Sequence, residues 1–186
     1  MPITPDVPAS ARISMEVLAD AITEVQALDM AAQIALCDKI AAEQPSLFGA
    51  VLTVLRKKPG EAATEMLLRI LMVSFQAMRR SGYRWAPIEE GDWERALTQW
   101  SGAVRFAADL KGDAQRLAQQ DFISQHPEPV LLAYVLQDLN RWQRRDEVRR
   151  SVAGNGDWVM MAALSVVQSI AHGSATRPTP ETPQNR

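Results

Sequence analysis

The chain has one cysteine and two histidines, and each shortage excludes a kind of site. Cys37 stands alone among 186 residues, which excludes an intrachain disulfide and a cysteine-based zinc site. Its neighbours in a helical pattern are apolar, so we expect a buried thiol rather than a reactive one. His126 and His172 each stand alone in the sequence, and no HExxH or Glu-x-x-His pattern occurs, so we expect no metal site.

Catalytic and cofactor-binding motifs are also missing. No G-x-S-x-G sequence occurs and no histidine lies near Cys37 in sequence, so nothing favours nucleophilic catalysis. Gly154-Asn155-Gly156 opens a helix, a setting in which free N–H groups can hold a phosphate. Asp157 occupies the place of the anion, however, and neither GxGxxG nor GxxxxGK[ST] is matched, so we interpret this stretch as a connector. We expect no catalytic residue, no cofactor and no enzyme activity.

Long hydrophobic runs and an excess of one charge are absent too. Residues 1–14 have neither a basic start nor an apolar stretch, so we expect no signal peptide. The longest uncharged apolar run, residues 158–171, is shorter than a membrane span. A net charge of -2 gives no general attraction to nucleic acid or to an anionic membrane. We expect a soluble, cytoplasmic protein without membrane contact, and the excess of arginine over lysine hints at a GC-rich bacterial genome.

The stretch around which the chain is organised is Glu61–Arg80, which is apolar around nearly its whole circumference. Pro59-Gly60 precedes it and Ser81-Gly82 follows it, as is typical of helix ends. A helix of this kind must be enclosed by other elements. Its thin polar line consists of Glu65, Arg69 and Gln76. We expect this line to reach solvent and the Glu65–Arg69 pair, four residues apart, to form a surface ion pair.

Amphipathic patterns on both sides of this helix predict an all-α protein, a compact bundle of about eight helices. Ser14, Asp29 and Asp92 are the expected N-caps of three of them. No stretch alternates in the manner of a strand, so we expect no sheet. Three tryptophans lie on apolar stripes and are expected in the core: Trp93, Trp100 and Trp158. The second helix is expected to bury the face formed by Met30, Ile34, Cys37 and Ala41.

The chain divides into an irregular arm of residues 1–12, a single domain of residues 13–173 and a disordered tail of residues 174–186. Within the domain, the leucine-rich helices after Pro45 and Pro127 match at five apolar positions, and each precedes a basic cluster and an apolar helix. We therefore favour a duplication, with residues 13–82 and 83–173 as two four-helix units. The alternative is that any two leucine-rich amphipathic helices align this well.

Two groups of arginines and aromatic residues are the candidate partner-binding surfaces. The first surface is the end of the central helix and the loop after it: Arg79, Arg80, Tyr83, Arg84 and Trp85. The second is the end of a later helix and the residues after it: Arg141, Trp142, Arg144, Arg145, Arg149 and Arg150. Tyrosine, tryptophan and arginine dominate binding hot spots. The simpler interpretations are a loop that covers the core and a solvated helix end partly neutralised by neighbouring acids.

These observations favour a non-enzymatic helical module for protein–protein interaction or regulation, with an unknown protein partner or self-association. The alternative is an arginine-mediated nucleic-acid or anion-binding protein, on which a base stacks against Trp142. A third hypothesis is a small-ligand-binding helical protein or a cofactor-free enzyme, with the polar line of the central helix as its interior site.

Overall fold

The computed structural model describes residues 11–109, 121, 123–144 and 156–177, and it confirms the all-α prediction. The helices in the described part are α1 Met15–Gln26, α2 Met30–Glu43, α3 Pro45–Leu55, α4 Glu61–Arg80, α5 Glu90–Asp109, α6 Pro129–Gln143 and α7 Gly156–His172. The sixth helix expected from the sequence lies largely outside the described residues, although residues 123–125 are helical.

Helix α4 lies at the centre, as its sequence predicts, and contacts α1, α2, α3, α6 and α7. Its side chains are buried without interruption from Ile70 to Met78. The second apolar helix, α7, contacts α3, α4, α5 and α6 and is buried from Ala162 to Ala171. Gly60 and Gly82, with φ of 98° and 75°, flank α4 in a conformation that side-chain-bearing residues rarely adopt. The core therefore forms around the two helices that are apolar on nearly all sides.

Local signals place the helix starts. Ser14 accepts a hydrogen bond from Val17 N at 3.2 Å, and Asp29 accepts one from Ala32 N at 2.8 Å, which confirms both expected N-caps. Asp92 acts differently. Helix α5 begins at Glu90, and the Asp92 carboxylate accepts a hydrogen bond from the backbone N–H of Glu89 at 3.1 Å. Asp92 therefore reaches back from the first turn, like the acid of a capping box.

The prediction of which face of α2 is buried is wrong. Leu36 and Ile40 are buried, whereas Met30 is 72% exposed and Ile34 is 57% exposed. Helix α2 carries apolar residues on two faces, and its contacts with α3 and α4 cover only the face of Leu36 and Ile40. Cys37 is half-buried, and this burial, followed by the nearby Asp38 charge, raises the pKa of its thiol.

A short sheet, which the sequence did not predict, joins the end of the domain to the loop after α4. Strands β1 (Arg84–Trp85) and β2 (Ala175–Thr176) pair antiparallel, and Ala86 N donates to Ser174 O at 2.9 Å. Residues 174–177, which the sequence assigned to the tail, therefore pack against the domain; residues 178–186 lie outside the described residues.

Two further expectations concern membrane spans and the internal duplication. In the described part, no helix is both long enough and apolar enough to cross a membrane. The duplication stays a prediction, because residues 110–120 and 145–155, which belong to its second unit, lie outside the described residues.

Candidate functional site

The first predicted surface, after α4, forms part of the domain's own packing. The indole N–H of Trp85 lies 3.0 Å from both Met78 O and Ser81 Oγ, and the Arg12 guanidinium lies 4.3 Å from the centre of the Trp85 ring. The Tyr83 ring lies 5.5 Å from the Arg177 guanidinium. Arg84, in β1, is exposed. The Trp85 side chain thus covers the end of α4, and the Tyr83 ring packs on Arg177 after β2, which agrees with the interpretation of this loop as a cover for the core.

The two arginines at the end of α4 bind polar groups of the domain. Arg80 forms ion pairs with Glu24 at 2.7 Å and Asp20 at 3.8 Å, both on α1. Arg79 donates to Gln76 at 3.2 Å, and Gln76 donates to Glu24 at 2.7 Å. These contacts tie α4 to the acidic side of α1, so both guanidinium groups already have partners.

The second predicted surface is partly neutralised in the same way. Arg141 donates to the buried carboxylate of Asp138 at 2.9 Å, and Trp142 is only 4% exposed. Its ring is therefore in the core rather than available for stacking on a base. Arg144 is exposed one residue after α6, whereas Arg145, Arg149 and Arg150 lie outside the described residues.

The polar line of α4 faces solvent only in part: the Glu65 side chain is 64% exposed and pairs with Arg69 as expected, whereas Gln76 is buried. The Arg69 side chain is 26% exposed and donates its Nε–H to Asp138 on α6 at 3.0 Å, while Glu65 contacts it at a longer 3.5 Å. Burial by itself lowers the pKa of Arg69, but its charged and polar neighbours, Asp138 before Tyr134 and Glu65, together raise it. Burial, followed by the same carboxylate, raises the pKa of Tyr134. The acid that neutralises Arg69 thus comes from a helix far along the chain.

Both histidines belong to one hydrogen-bond network, which runs from the buried His126 to the exposed His172, although each stands alone in the sequence. His126 Nδ1 accepts the Glu128 N–H at 3.0 Å, so its Nε2–H donates to Gln168 Oε1 at 2.9 Å. The Gln168 amide lies 2.8 Å from both His172 Nε2 and Gln99 Oε1. Burial lowers the pKa of His126. Within the described residues no group of three His, Cys, Asp or Glu side chains is arranged to hold a metal ion.

Arg12 and Glu128 form a second buried centre beside this network. The Glu128 side chain is fully buried, and it accepts hydrogen bonds from Arg12 Nε at 2.9 Å and Ile13 N at 3.1 Å. The Nη2 group of Arg12 donates to the carbonyls of Ile170 and Ala171 at the end of α7, and Nη1 donates to that of Gly173, just after the helix. Burial raises the pKa of Glu128, although Arg12 opposes this effect. This centre fixes the start of the domain to the end of α7.

An open groove, which the sequence did not predict, lies between α3, α5 and the first turn of α7. We call it the α3–α5–α7 groove. Its volume is about 590 Å³, and its walls are residues 46–57 along α3, residues 90–97 of α5 and Trp158. Trp158, expected in the core, is 46% exposed, and the Lys57 ammonium lies 4.1 Å from the centre of its ring. This is the largest half-exposed apolar side chain in the described part of the chain.

The groove has space along its α3 wall and charge at its rim. A Cβ added to Gly49 would meet no atom within 4 Å. Arg56, Lys57, Glu90 and Glu94 are exposed, and in the described ranges none of these four side chains forms an ion pair. Of the arginines chosen from the sequence, Arg80 and Arg141 pair with carboxylates of the domain, whereas the four charged side chains around the groove form no ion pair within the described residues.

Two sequence signals could have pointed to this groove. Gly49, Ala50 and Thr53 give α3 a narrow face of small residues, and Trp158 lies in the first turn of its helix, where fewer neighbours cover a side chain. Arg56 and Lys57 also suit the end of α3, because cations are favourable there. The three walls come from parts of the chain separated by tens of residues, so periodicity alone could not bring them together.

Comparison of the chain with known protein families, with curated proteins and with solved structures finds no match. The groove is therefore interpreted from its own residues. It combines an exposed indole, partly buried aliphatic side chains and charged rims, which together suit a segment of another polypeptide.

Proposed function

We propose that this protein is a non-enzymatic helical interaction module that binds a partner protein in the α3–α5–α7 groove. The observation that carries the proposal is the half-exposed Trp158 at the wall of a groove of about 590 Å³. Tryptophan is among the residues most enriched at binding hot spots. Leu97 and Val54 line the same groove and are only partly buried, so an occupant would cover a continuous apolar surface.

The shape and polarity of the groove favour a polypeptide over a small molecule. Small-molecule sites enclose most of their ligand and orient it with a few buried polar groups. Here the polar residues of the rim, Arg56, Lys57, Glu90 and Glu94, are exposed, as is Gly49 in the α3 wall. An apolar centre with a solvated, charged rim is the usual anatomy of a protein–protein interface.

The arginine-mediated alternative has less support from the described residues. Arg80 and Arg141 are engaged by carboxylates of the domain itself, and the Trp142 ring is buried. A phosphate would have to compete with these acids for the same guanidinium groups. Protein binding at the groove requires no such exchange.

Photo-crosslinking from inside the groove tests the proposal, and the chain offers a matched control. Thr53 lines the groove, and Thr23 is an exposed threonine of α1 outside it. Each hydroxyl donates to the carbonyl four residues earlier at 2.9 Å, so the two sites have the same local structure. A benzophenone amino acid is introduced at either position in the full chain, which is expressed in its native cell and irradiated.

We expect a discrete adduct from position 53 and none from position 23. Gly49→Trp should abolish the adduct, because the new side chain enters open groove space rather than the core. Equal crosslinking from both positions, or a position-53 adduct that survives Gly49→Trp, would refute the groove as the binding surface. Circular dichroism of each variant confirms that the helical fold is retained.

A further inference from the structure

The α3 wall of the groove sets the length of an occupant. The wall runs from Ser46 to the end of α3 at Leu55, about 14 Å at 1.5 Å per helical residue, and continues to Arg56 and Lys57 in the turn that follows. A second helix lying along it would therefore contact it over roughly three turns. Gly49 lies one turn from the start of this stretch and leaves the space of its missing side chain open, which permits close approach of another backbone.

The two ends of the groove carry opposite charge. The Gln44 amide before α3 donates to Ala86 O at 3.2 Å and accepts from Ile88 N at 2.8 Å, so α5 begins beside the start of α3. Glu90, the first residue of α5, therefore lies at this end, and Glu94 follows it one turn further along α5. At the other end, Lys57 contacts the Trp158 ring after the last turn of α3.

Arg56 lies beside Lys57 in the wall at that end, and the two cations and two acids are all exposed and form no ion pair within the described residues. The groove thus has an acidic end at the start of α3 and a basic end at the end of α3. A partner segment with the reverse charge order would neutralise both.

An α-helix has its own preference for charge order. Acidic side chains stabilise its first turn and basic side chains its last turn, because they oppose the partial charges of the helix ends. A bound helix can follow this preference and also neutralise the charges at both ends of the groove in one orientation only. Its acidic first turn must lie at Arg56 and Lys57, and its basic last turn at Glu90 and Glu94.

We infer that the α3–α5–α7 groove binds an amphipathic helix of about three turns that runs antiparallel to α3, with acids in its first turn and bases in its last. This inference rests on the proposed function and adds the class and direction of the partner segment. Apolar side chains at i, i+4 and i+7 of that helix would cover Trp158 and Leu97.

Two synthetic peptides of identical composition test the inference. Both are hydrocarbon-stapled, 12-residue helices with leucines at i, i+4 and i+7. The acid-first peptide has two glutamates in its first turn and two lysines in its last, and the base-first peptide has these reversed. Fluorescence anisotropy measures the Kd of each for the full chain and for the variant Arg56→Glu/Lys57→Glu/Glu90→Lys/Glu94→Lys, which has the same net charge.

We expect the acid-first peptide to bind the natural chain about tenfold more tightly, the effect of several exposed charge pairs. The preference should reverse in the charge-swapped variant, and it should shrink in 1 M salt because screening weakens exposed pairs. The staple and the reversal together exclude a difference in peptide helicity as the cause.

Other outcomes separate this inference from the proposed function. Equal affinity of both peptides for both proteins, with binding lost in Gly49→Trp, would overturn the charge order and direction and leave the groove as a binding surface. If neither peptide binds at 1 mM while the position-53 crosslink forms, a helix is the wrong class of occupant. The absence of both peptide binding and the crosslink would refute the proposed function itself.

Discussion

Replacing Arg12 with methionine should reveal a charge buried at the junction of the first and last described parts of the domain. Glu128 is fully buried, and Arg12 supplies the cation that faces it at 2.9 Å. Without that cation the carboxylate stays buried as an unpaired charge or takes up a proton. Methionine preserves much of the length that packs against Trp85 and removes the guanidinium.

The cost of taking up that proton limits the loss of stability. Protonating a glutamate of ordinary pKa, about 4.3, costs about 3.7 kcal/mol at pH 7 and about 1 kcal/mol at pH 5. The lost hydrogen bonds to the end of α7 add roughly 1 kcal/mol. We expect Arg12→Met to lower the free energy of unfolding by about 3–5 kcal/mol at pH 7, as breaking a buried ion pair does.

The loss should depend on pH in a defined direction. A carboxyl whose pKa is raised in the folded state binds its proton more tightly when folded, so the fold gains stability as pH falls towards the ordinary pKa. Burial already raises the pKa of Glu128, and removal of Arg12 raises it further. The difference between the natural chain and Arg12→Met should therefore shrink to about 2 kcal/mol at pH 5.

Urea unfolding at pH 7 and pH 5 measures these differences. The double variant Arg12→Met/Glu128→Gln should recover much of the loss at pH 7, since it carries no buried charge. Arg84→Met, an exposed arginine next to Trp85, is the matched control and should change stability by less than about 0.5 kcal/mol. An equal loss at both pH values, or no recovery in the double variant, would refute the reasoning.

Three further predictions concern stability. Gly49→Ala should raise the free energy of unfolding by about 1 kcal/mol in urea, because this helical glycine has open space at its Cβ, whereas Gly60→Ala should lower it because its φ is 98°. Burial lowers the pKa of His126, so its contribution to stability is fully present above pH 6.5 and is lost as the pH falls below that value. Between pH 7 and pH 5, His126→Asn should therefore lose less free energy of unfolding than the natural chain in the same assay. Arg69→Met should cost roughly 1–3 kcal/mol and Arg141→Met less than about 1 kcal/mol, because the side chains are 26% and 61% exposed; equal costs would contradict this account.

The sequence predicted the features that depend on neighbouring residues. Glu61–Arg80 is helical and central because its apolar residues surround it and glycines flank it. Ser14 and Asp29 cap helices because each side chain reaches an N–H three residues ahead.

Features that depend on distant parts of the chain could not be read in this way. Arg69 pairs with Asp138, 69 residues later, and the sequence pattern of α4 gives no information about that partner. Helix α2 has two apolar faces, and only its packing decides that Ile34 is exposed. The exposure of Trp158 has the same origin, since an apolar stripe does not tell how far neighbouring helices extend. The groove was missed for that reason.

The most direct test of the groove is an NMR titration of the full chain with the acid-first peptide. The indole N–H signal of Trp158 is assigned by its loss in Trp158→Phe, and the backbone amides of Thr53 and Thr23 serve as reporters inside and outside the groove. We predict that Trp158 and Thr53 shift with the same Kd, that Thr23 does not shift, and that Gly49→Trp removes the response. Shifts that leave Trp158 and Thr53 unchanged and instead affect Met30 and Ile34 would contradict the account.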